Sequence, residues 1–247
     1  MISIRNEVAL MPALRMLKAD LDAGRYIVDL EGVRTVELIG ARIDFYGVRQ
    51  AVMDFGPAKK TNEKYVNQEL AWYLSEDLNV DPMMSNVHIW QTICDKDGKI
   101  NSNYGWLIFS EKNGYQYMNC VDRLVENPNT KRGVMIYTRP SMWTDCKKNG
   151  MQDFICTDGV QCVIREGRLI YMVKQRSCDL IFGLFNDLAW HQWVYNEMTK
   201  DLRSRGVHLV GEGMIMYFPF NLHVYEKHFE RLTKMVEYGE EHYASAD

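Results

Sequence analysis

The sequence predicts an α+β protein, a β-sheet covered by helices. Three observations predict it. Alternating runs rich in β-branched residues are separated by glycines, several long segments carry apolar residues at helical spacing, and "VQCVIREGRLIYMVKQRS" is a strong hairpin signal around Glu166-Gly167.

The elements follow in order. "MISIRNEVALMPALRMLKADL" reads as an amphipathic helix ending near Ala23-Gly24, with Gly24 as its C-cap. It has neither the apolar run nor the small-residue cleavage site of a signal peptide. "YIVDLEGVRTVELIGARIDFYGV" alternates and turns at glycines, as strands do. "NEKYVNQELAWYLSEDL" places Val66, Leu70, Tyr73 and Leu74 at helical spacing. "VHIWQTICDKDGKINSNYGW" is loop-rich. "GYQYMNCVDRLVENP" is another amphipathic helix, stopped at Pro128, and "GVMIYTRP" is a strand. Beyond the hairpin, "NDLAWHQWVYNEMTKDLRSRG" is a long helix with Asn186 or Asp187 as its start and Gly206 as its stop. "VHLVGEGMIMYFPFNLHVY" is strand, and "YEKHFERLTKMVEYGEEHY" is a closing helix. With no repeat, low-complexity tract or Pro/Gly/Ser linker, residues 1–247 read as one domain.

With 247 residues, 47% of them apolar and 12% aromatic, the chain has ample material for a core. Its net charge of −4 gives no global attraction to nucleic acid or to an anionic membrane. A bound phosphate must therefore meet a local cluster of Arg and Lys. No window reaches the length of a membrane-spanning helix. The six cysteines (94, 120, 146, 156, 162 and 178) are widely spaced and form no C-x-x-C. That spacing argues against a metal site and a disulfide scaffold, and predicts reduced thiols in a cytosol.

Two basic clusters stand out. "NTKRGVMIYTRP" puts Lys131, Arg132 and Arg139 around a strand, and "KQRSCDLIFG" puts Lys174, Arg176, Ser177 and Asp179 at the hairpin exit. Guanidinium groups beside a Ser hydroxyl suit a phosphate monoester, while surface ion pairs are the commoner fate of any single Arg. Cys156, in "DFICTDGVQ", would gain thiolate character from a neighbouring guanidinium. Free cysteines are usually buried and inert, and composition and spacing do not lift Cys156 above the other five.

"NQELAWYL", "IW" followed by "INSNYGW", "NPNTKRGVMIYTRP", "DFICTDGVQ", "QRSCDLIFGLFNDLAW" and "LHVY" do so jointly. Six segments in this order, from about Tyr26 to Tyr243, resemble the thymidylate synthase superfamily. "SNYGW", "MIYTRPSM" and "FNDLAW" resemble its bacteriophage deoxycytidylate hydroxymethylase branch more than the synthases proper. The resemblance implies a bent sheet through which two subunits pack back to back. It also implies a pyrimidine nucleotide substrate, dCMP or CMP, and 5,10-methylenetetrahydrofolate as co-substrate. A phage-encoded enzyme of the host cytoplasm is expected, with no direct nucleic-acid partner and no membrane.

Residue roles follow from the same resemblance. Cys156 matches the nucleophile that adds to C6 of the pyrimidine, giving C5 the electron density to attack a one-carbon unit. Arg176 and Ser177 match phosphate ligands. Lys131 and Arg132 match a basic pair that reaches into the partner subunit's site, where the family pattern has Arg at both positions; Lys131 keeps the charge without the bidentate fork. Glu69 matches a general acid/base working through ordered water. Its apolar neighbours predict partial burial and a raised pKa, whereas its bland alternative is a solvated helix face. Trp90 and Tyr104 match aromatic groups at the folate and nucleotide site, and each alone would be read as core. Asp179 matches the carboxylate that meets the pterin. His223 and Tyr225 match groups at the sugar 3′-hydroxyl, the usual alternative for such a His being a satisfied core residue.

The base and the last step follow from departures. Where the synthases have Asn, "FGLFNDLAW" has Asp187. A carboxyl accepts from cytosine N4–H and can give a proton to N3, whereas uracil would set acceptor against acceptor. The other role for Asp187 is as a helix cap, which Asn186 beside it could also fill. The end "EEHYASAD" lacks the apolar tail that closes the synthase site, so a wetter site is expected, with water as acceptor held by Glu69, Asp187 and His223. In the early phosphate loop, "DLEGVRT" has Leu30 where the synthases have Arg, leaving Arg34 as the nearby cation.

Overall fold

Alternation bounded by glycines becomes two sheets that run into each other. The computed structural model describes residues 6–46, 52–80, 84 and 86–243. In chain order the helices are α1 (Asn6–Asp22), α2 (Glu63–Leu74), α3 (His88–Ile93), α4 (Tyr104–Phe109), α5 (Gln116–Glu126), α6 (Met142–Asp145), α7 (Gly183–Ser204) and α8 (Phe229–Tyr243). The strands are β1 (Ile27–Val28), β2 (Arg34–Ile39), β3 (Ile43–Tyr46), β4 (Asp54–Phe55), β5 (Lys59–Lys60), β6 (Gly133–Ile136), β7 (Thr157–Arg165), β8 (Arg168–Gln175), β9 (Cys178–Asp179), β10 (Met214–Pro219) and β11 (Asn221–Tyr225). One sheet is ordered β1-β2-β11-β9, the other β3-β10-β8-β7-β6, and β4-β5 is a small ribbon.

The two larger sheets meet along a line where three strand pairs break together. β2 gives way to β3 at 40–42, β8 to β9 at 176–177, and β10 to β11 at Phe220. Hydrogen bonds continue across the line: Phe220 N–H donates to Gln175 O at 2.8 Å, and Gly40 N–H donates to Phe220 O at 2.9 Å. Gly40 makes its turn at φ 70°, a backbone region that glycine enters without strain. Arg176 and Ser177 sit at this break, so the bend of the sheet places the basic cluster.

The hairpin forms where its sequence signal lies. Glu166 and Gly167 both have positive φ, 51° and 68°, as a two-residue turn matching strand twist requires. A register shift between Thr157 and Gly159 makes Asp158 an extra residue on β7. Arg165 pairs with Arg168 and Gly159 with Lys174, but Thr157 pairs with Gln175. The bulge therefore sets Cys156 opposite Arg176, where an unbroken ladder would set it opposite Ser177.

α7 makes the crossover that lays β10 parallel to β8 and β11 parallel to β9, and it buries Leu184, Leu188, Val194, Met198 and Leu202 completely. Burial of each such side chain is worth about 1.5–3 kcal/mol before chain entropy is counted. α1 packs on α8, and α5 on β6.

Three sequence expectations change in detail. α7 begins at Gly183, not at Asn186 or Asp187, and its N-cap Phe182 offers no side-chain cap. Asp187 is thus in the second turn and does not cap the helix. "VHIWQTICDKDGKINSNYGW" contains α3 and the start of α4, helices of six residues each and too short for a periodicity signal. On α2 the buried residues are Glu69, Trp72 and Tyr73, while Leu74 is exposed.

Candidate active site

Cys156 stands immediately before β7, and the bulge brings β8's exit alongside it. Arg176 N–H donates to Cys156 O at 2.9 Å. Its guanidinium donates from Nε to Ile155 O at 3.0 Å and from Nη2 to Phe154 O at 2.7 Å, with Nη2 3.6 Å from Cys156 Sγ. The same group lies 4.6 Å from the centre of the Phe154 ring. Arg176 pulls the thiol pKa down, as the sequence suggests, but burial outweighs it and pushes Cys156 up to about 11. The guanidinium acts in the direction that the sequence suggests, and burial of the thiol is the larger influence.

Two carboxyls face this thiol's cleft from different helices. Glu69 is 5% exposed, and burial raises its pKa to about 8, against a lowering hydrogen bond from Tyr65. Asp187 accepts the Gln175 amide N–H at 2.6 Å, and burial raises it to about 7, with Asp179 adding to the rise. Both groups therefore hold or release a proton near neutral pH, the range in which general acid/base groups work.

His223 lies on β11 directly across from Asp179 on β9. Its Nδ1 is 2.9 Å from Asn221 Oδ1, and the Asn221 amide NH2 donates to Glu37. That chain makes the Asn oxygen an acceptor and leaves the proton of a neutral His223 on Nδ1. Burial lowers its pKa, which favours the neutral ring. Tyr225 meets His223 edge to face at 4.9 Å.

Tyr104 begins α4 and is 3.0 Å from Thr157 Oγ1, stacked on Tyr73 at 5.2 Å. Asn103 caps α4 through Trp106 N–H and reaches back to Trp72 O and Asp77 O. Gly105 is required here, since a Cβ would lie 1.8 Å from Tyr73 O.

These residues line one cleft of about 410 Å³, a size suited to a small-molecule site. It takes in Glu69, Trp90, Tyr104, Cys156, Arg176, Ser177, Asp179, Asn186, Asp187, His223 and Tyr225, all singled out from sequence. Its apolar wall adds Ile89 and Phe182. Beside Phe182, the Lys59 ammonium lies 4.5 Å from the ring, and Arg231 stacks on it at 5.6 Å. Burial lowers Lys59 to about 8, with Arg231 pushing the same way and Asp179 opposing.

Lys131 and Arg132 are not in this cleft. They are exposed on the turn before β6, where Arg132 borders a separate hollow along α5. Arg34 is also outside, paired with Glu226 at 2.8 Å and stacked over Tyr26 at 5.1 Å, while Leu30 is fully exposed. The chain end from residue 244 lies outside the described residues.

The thymidylate synthase family model matches residues 14–245. The chain belongs to the thymidylate synthase family. It is 40% identical over 224 residues to the deoxycytidylate 5-hydroxymethyltransferases of Enterobacteria phages T4 and T2, covering 90% of this chain and 88% of each relative. To the thymidylate synthase of Corynebacterium aurimucosum it is 27% identical over 230 residues, covering 90% of this chain and 80% of the relative.

Several residues in or behind this family member's cleft escaped the sequence reading. Gln175 is fully buried and reaches Asp187 from the strand residue before Arg176. Asp153 accepts the N–H groups of Asn101 and Ser102 and the Ser102 hydroxyl, pinning the loop before α4 to the segment that carries Cys156. Tyr65 lies four residues before Glu69, and that spacing alone would have paired them on one helix face. Gln175 and Asp153 had no comparable signal, because their partners are brought in by α7 and by a loop.

Proposed function

We propose that the chain is a deoxycytidylate 5-hydroxymethyltransferase, a one-carbon transferase acting on dCMP with 5,10-methylenetetrahydrofolate and water. The observation that carries the reading is the Asp187 carboxyl at the cleft, held by Gln175 and shifted to about 7 by burial. At neutral pH it can accept from cytosine N4–H and supply a proton to N3, whereas uracil would leave buried acceptors facing each other, at about 1–3 kcal/mol each. The 40% identity to two phage deoxycytidylate 5-hydroxymethyltransferases supports the same substrate.

In this reading the nucleotide phosphate lies on Arg176 and Ser177, the sugar 3′-hydroxyl meets His223 and Tyr225, and the ring lies over Cys156. The Cys156 thiolate adds to C6, and the electron pair released at C5 attacks the methylene carbon of the folate. C5 then loses its proton and the folate leaves as tetrahydrofolate. Water adds to the exocyclic methylene as the thiolate departs from C6, giving 5-hydroxymethyl-dCMP. The transferred carbon keeps its oxidation level, so no hydride is used. Glu69, Asp187 and His223 are the groups placed to hold that water and move its proton. Trp90, Ile89 and Phe182 offer the folate an apolar wall, Asp179 a carboxylate for the pterin, and Lys59 with Arg231 two cations for its anionic glutamate tail.

The second subunit enters the same reading. The β3-β10-β8-β7-β6 sheet presents Val134 and Ile136, with Phe220 just past the end of β10, each more than 40% exposed, around an apolar groove of about 650 Å³. Sheet-to-sheet pairing of two copies would cover it, and Arg132 and Lys131, one and two residues before β6, would then be at hand for the partner's phosphate. A single domain of the cytoplasm, homodimeric and phage-encoded, is the setting proposed.

The test is incubation with dCMP, CMP and dUMP separately, reading C5 tritium release and product mass. A product 30 Da heavier than dCMP is expected from the added CH2O. Turnover of dUMP alone, with dihydrofolate appearing in the absorbance, would make the enzyme a thymidylate synthase instead.

A further inference from the structure

The two oxygens of Glu69 are not equivalent. Oε1 accepts the Tyr65 hydroxyl at 2.6 Å, and the Tyr65 oxygen in turn accepts the Trp90 indole N–H at 3.0 Å. An indole nitrogen only donates, so the phenol oxygen is the acceptor there and its one proton goes to Glu69. The chain from Trp90 through Tyr65 to Glu69 has a fixed direction. It links α3 to α2 at the cleft, which all three residues line. Oε2 has no hydrogen-bond partner among the described residues, and it is not one of the enclosed, unpartnered polar atoms.

We infer that Tyr65 is a positioning residue for Glu69, occupying Oε1 so that the carboxyl proton resides on Oε2, the oxygen open to the cleft. The inference deepens the hydroxymethyltransferase reading and rests on it for the role of Glu69. One consequence is geometric: proton exchange with substrate or water passes through a single oxygen in a fixed place. The other is electrostatic. A donated phenolic hydrogen bond stabilises the ionised carboxylate and opposes the burial that keeps Glu69 protonated.

Other titratable groups face Glu69. Tyr73 lies on its own helix, Asp187 comes from α7, Tyr104 from α4, and the Cys156–Arg176 pair from the start of β7 and the exit of β8. Tyr73 and Tyr104 are held far above the usual phenol range by burial and remain neutral. Asp187, when ionised, disfavours the Glu69 carboxylate, so Tyr65 is its direct counterweight.

Tyr65→Phe removes the hydroxyl and little else. In the full-length enzyme, the pH limb of kcat that reports Glu69 should move upward by about one unit, and kcat for dCMP at pH 7.5 should fall about tenfold, with KM for dCMP within about twofold. Trp90→Phe, which weakens Tyr65 as a donor, should move the limb the same way by less. A carboxyl 13C titration of glutamate-labelled enzyme, with the Glu69 signal assigned through Glu69→Gln, reads the same shift without turnover. Wild-type enzyme that processes dCMP, with an unmoved limb and an unmoved 13C titration in Tyr65→Phe, overturns the inference. Wild-type enzyme inactive on dCMP overturns the functional reading instead, while the 13C titration still decides the role of Tyr65. If Tyr65→Phe does not fold, the Trp90→Phe titration decides it.

Discussion

Arg176 reaches the sulfur of Cys156 with a nitrogen that also donates to Phe154 O, so the guanidinium is shared between a thiol and the peptide carbonyls beside it. This ties the reactivity of Cys156 to the backbone of its own segment. Burial raises the thiol and Arg176 lowers it, and the balance sits at about 11.

Removing the guanidinium should tip that balance further. In Arg176→Ala, the pH at which Cys156 becomes reactive to iodoacetamide should rise by about one unit, because the thiolate loses its nearest cation. The rate of alkylation against pH, followed by mass spectrometry of the Cys156 peptide, measures it. Cys156→Ser should lose C5 tritium release by about a thousandfold or more while binding dCMP within severalfold of wild type.

Asp187→Asn should exchange the base preference. An amide offers uracil both a donor and an acceptor, and loses the proton that cytosine N3 needs. The ratio of kcat/KM for dCMP over dUMP should fall by about 100-fold or more, from two mispaired hydrogen bonds at roughly 1–3 kcal/mol each. An unchanged ratio in a folded variant would remove Asp187 from base selection.

Stability should carry the mark of buried Glu69. Its pKa rises from the ordinary 4.5 to about 8 on folding, so between those values the folded chain binds more protons than the unfolded one. Folded stability from this group is therefore full below about 4.5 and is lost as pH rises through 8. Glu69→Gln should accordingly be more stable than wild type at pH 8.5, by about 1–3 kcal/mol, with the gap narrowing by pH 5.5. Thermal melts of both proteins across that range test the sign.

Lys59 and Arg231 should act on the folate alone. Lys59→Ala is expected to raise KM for methylenetetrahydrofolate about tenfold by loss of a charge-assisted contact, with KM for dCMP unchanged. Steady-state kinetics with each substrate varied separate the two.

The paired-sheet reading predicts shared sites. Phe220→Asp should turn a dimer into a monomer in sedimentation, because it buries a charge in the sheet-to-sheet face. Refolded together in equal amounts, inactive Cys156→Ser and Arg132→Ala chains should regain about a quarter of wild-type activity, through mixed dimers with one intact site. No recovery would place Arg132 outside the partner's cleft.

The sequence by itself determined the class of fold, the hairpin, and the family through six ordered segments. The hairpin was legible because Glu166-Gly167 states its turn locally, and α5 and α8 because their apolar spacing is a property of the chain alone. Which cysteine matters came from resemblance, since no local signal separates Cys156 from five other thiols. Only the tertiary structure decided how these residues act on one another. A single bulged residue, Asp158, sets Cys156 opposite Arg176. The early start of α7 turns Asp187 from a possible cap into a buried carboxyl held by Gln175, and the burial of Glu69 moves its proton into the working range. The physical reason is that register, burial and dielectric are set by neighbours distant in sequence, so a pattern can name a side chain without fixing its partner or its charge.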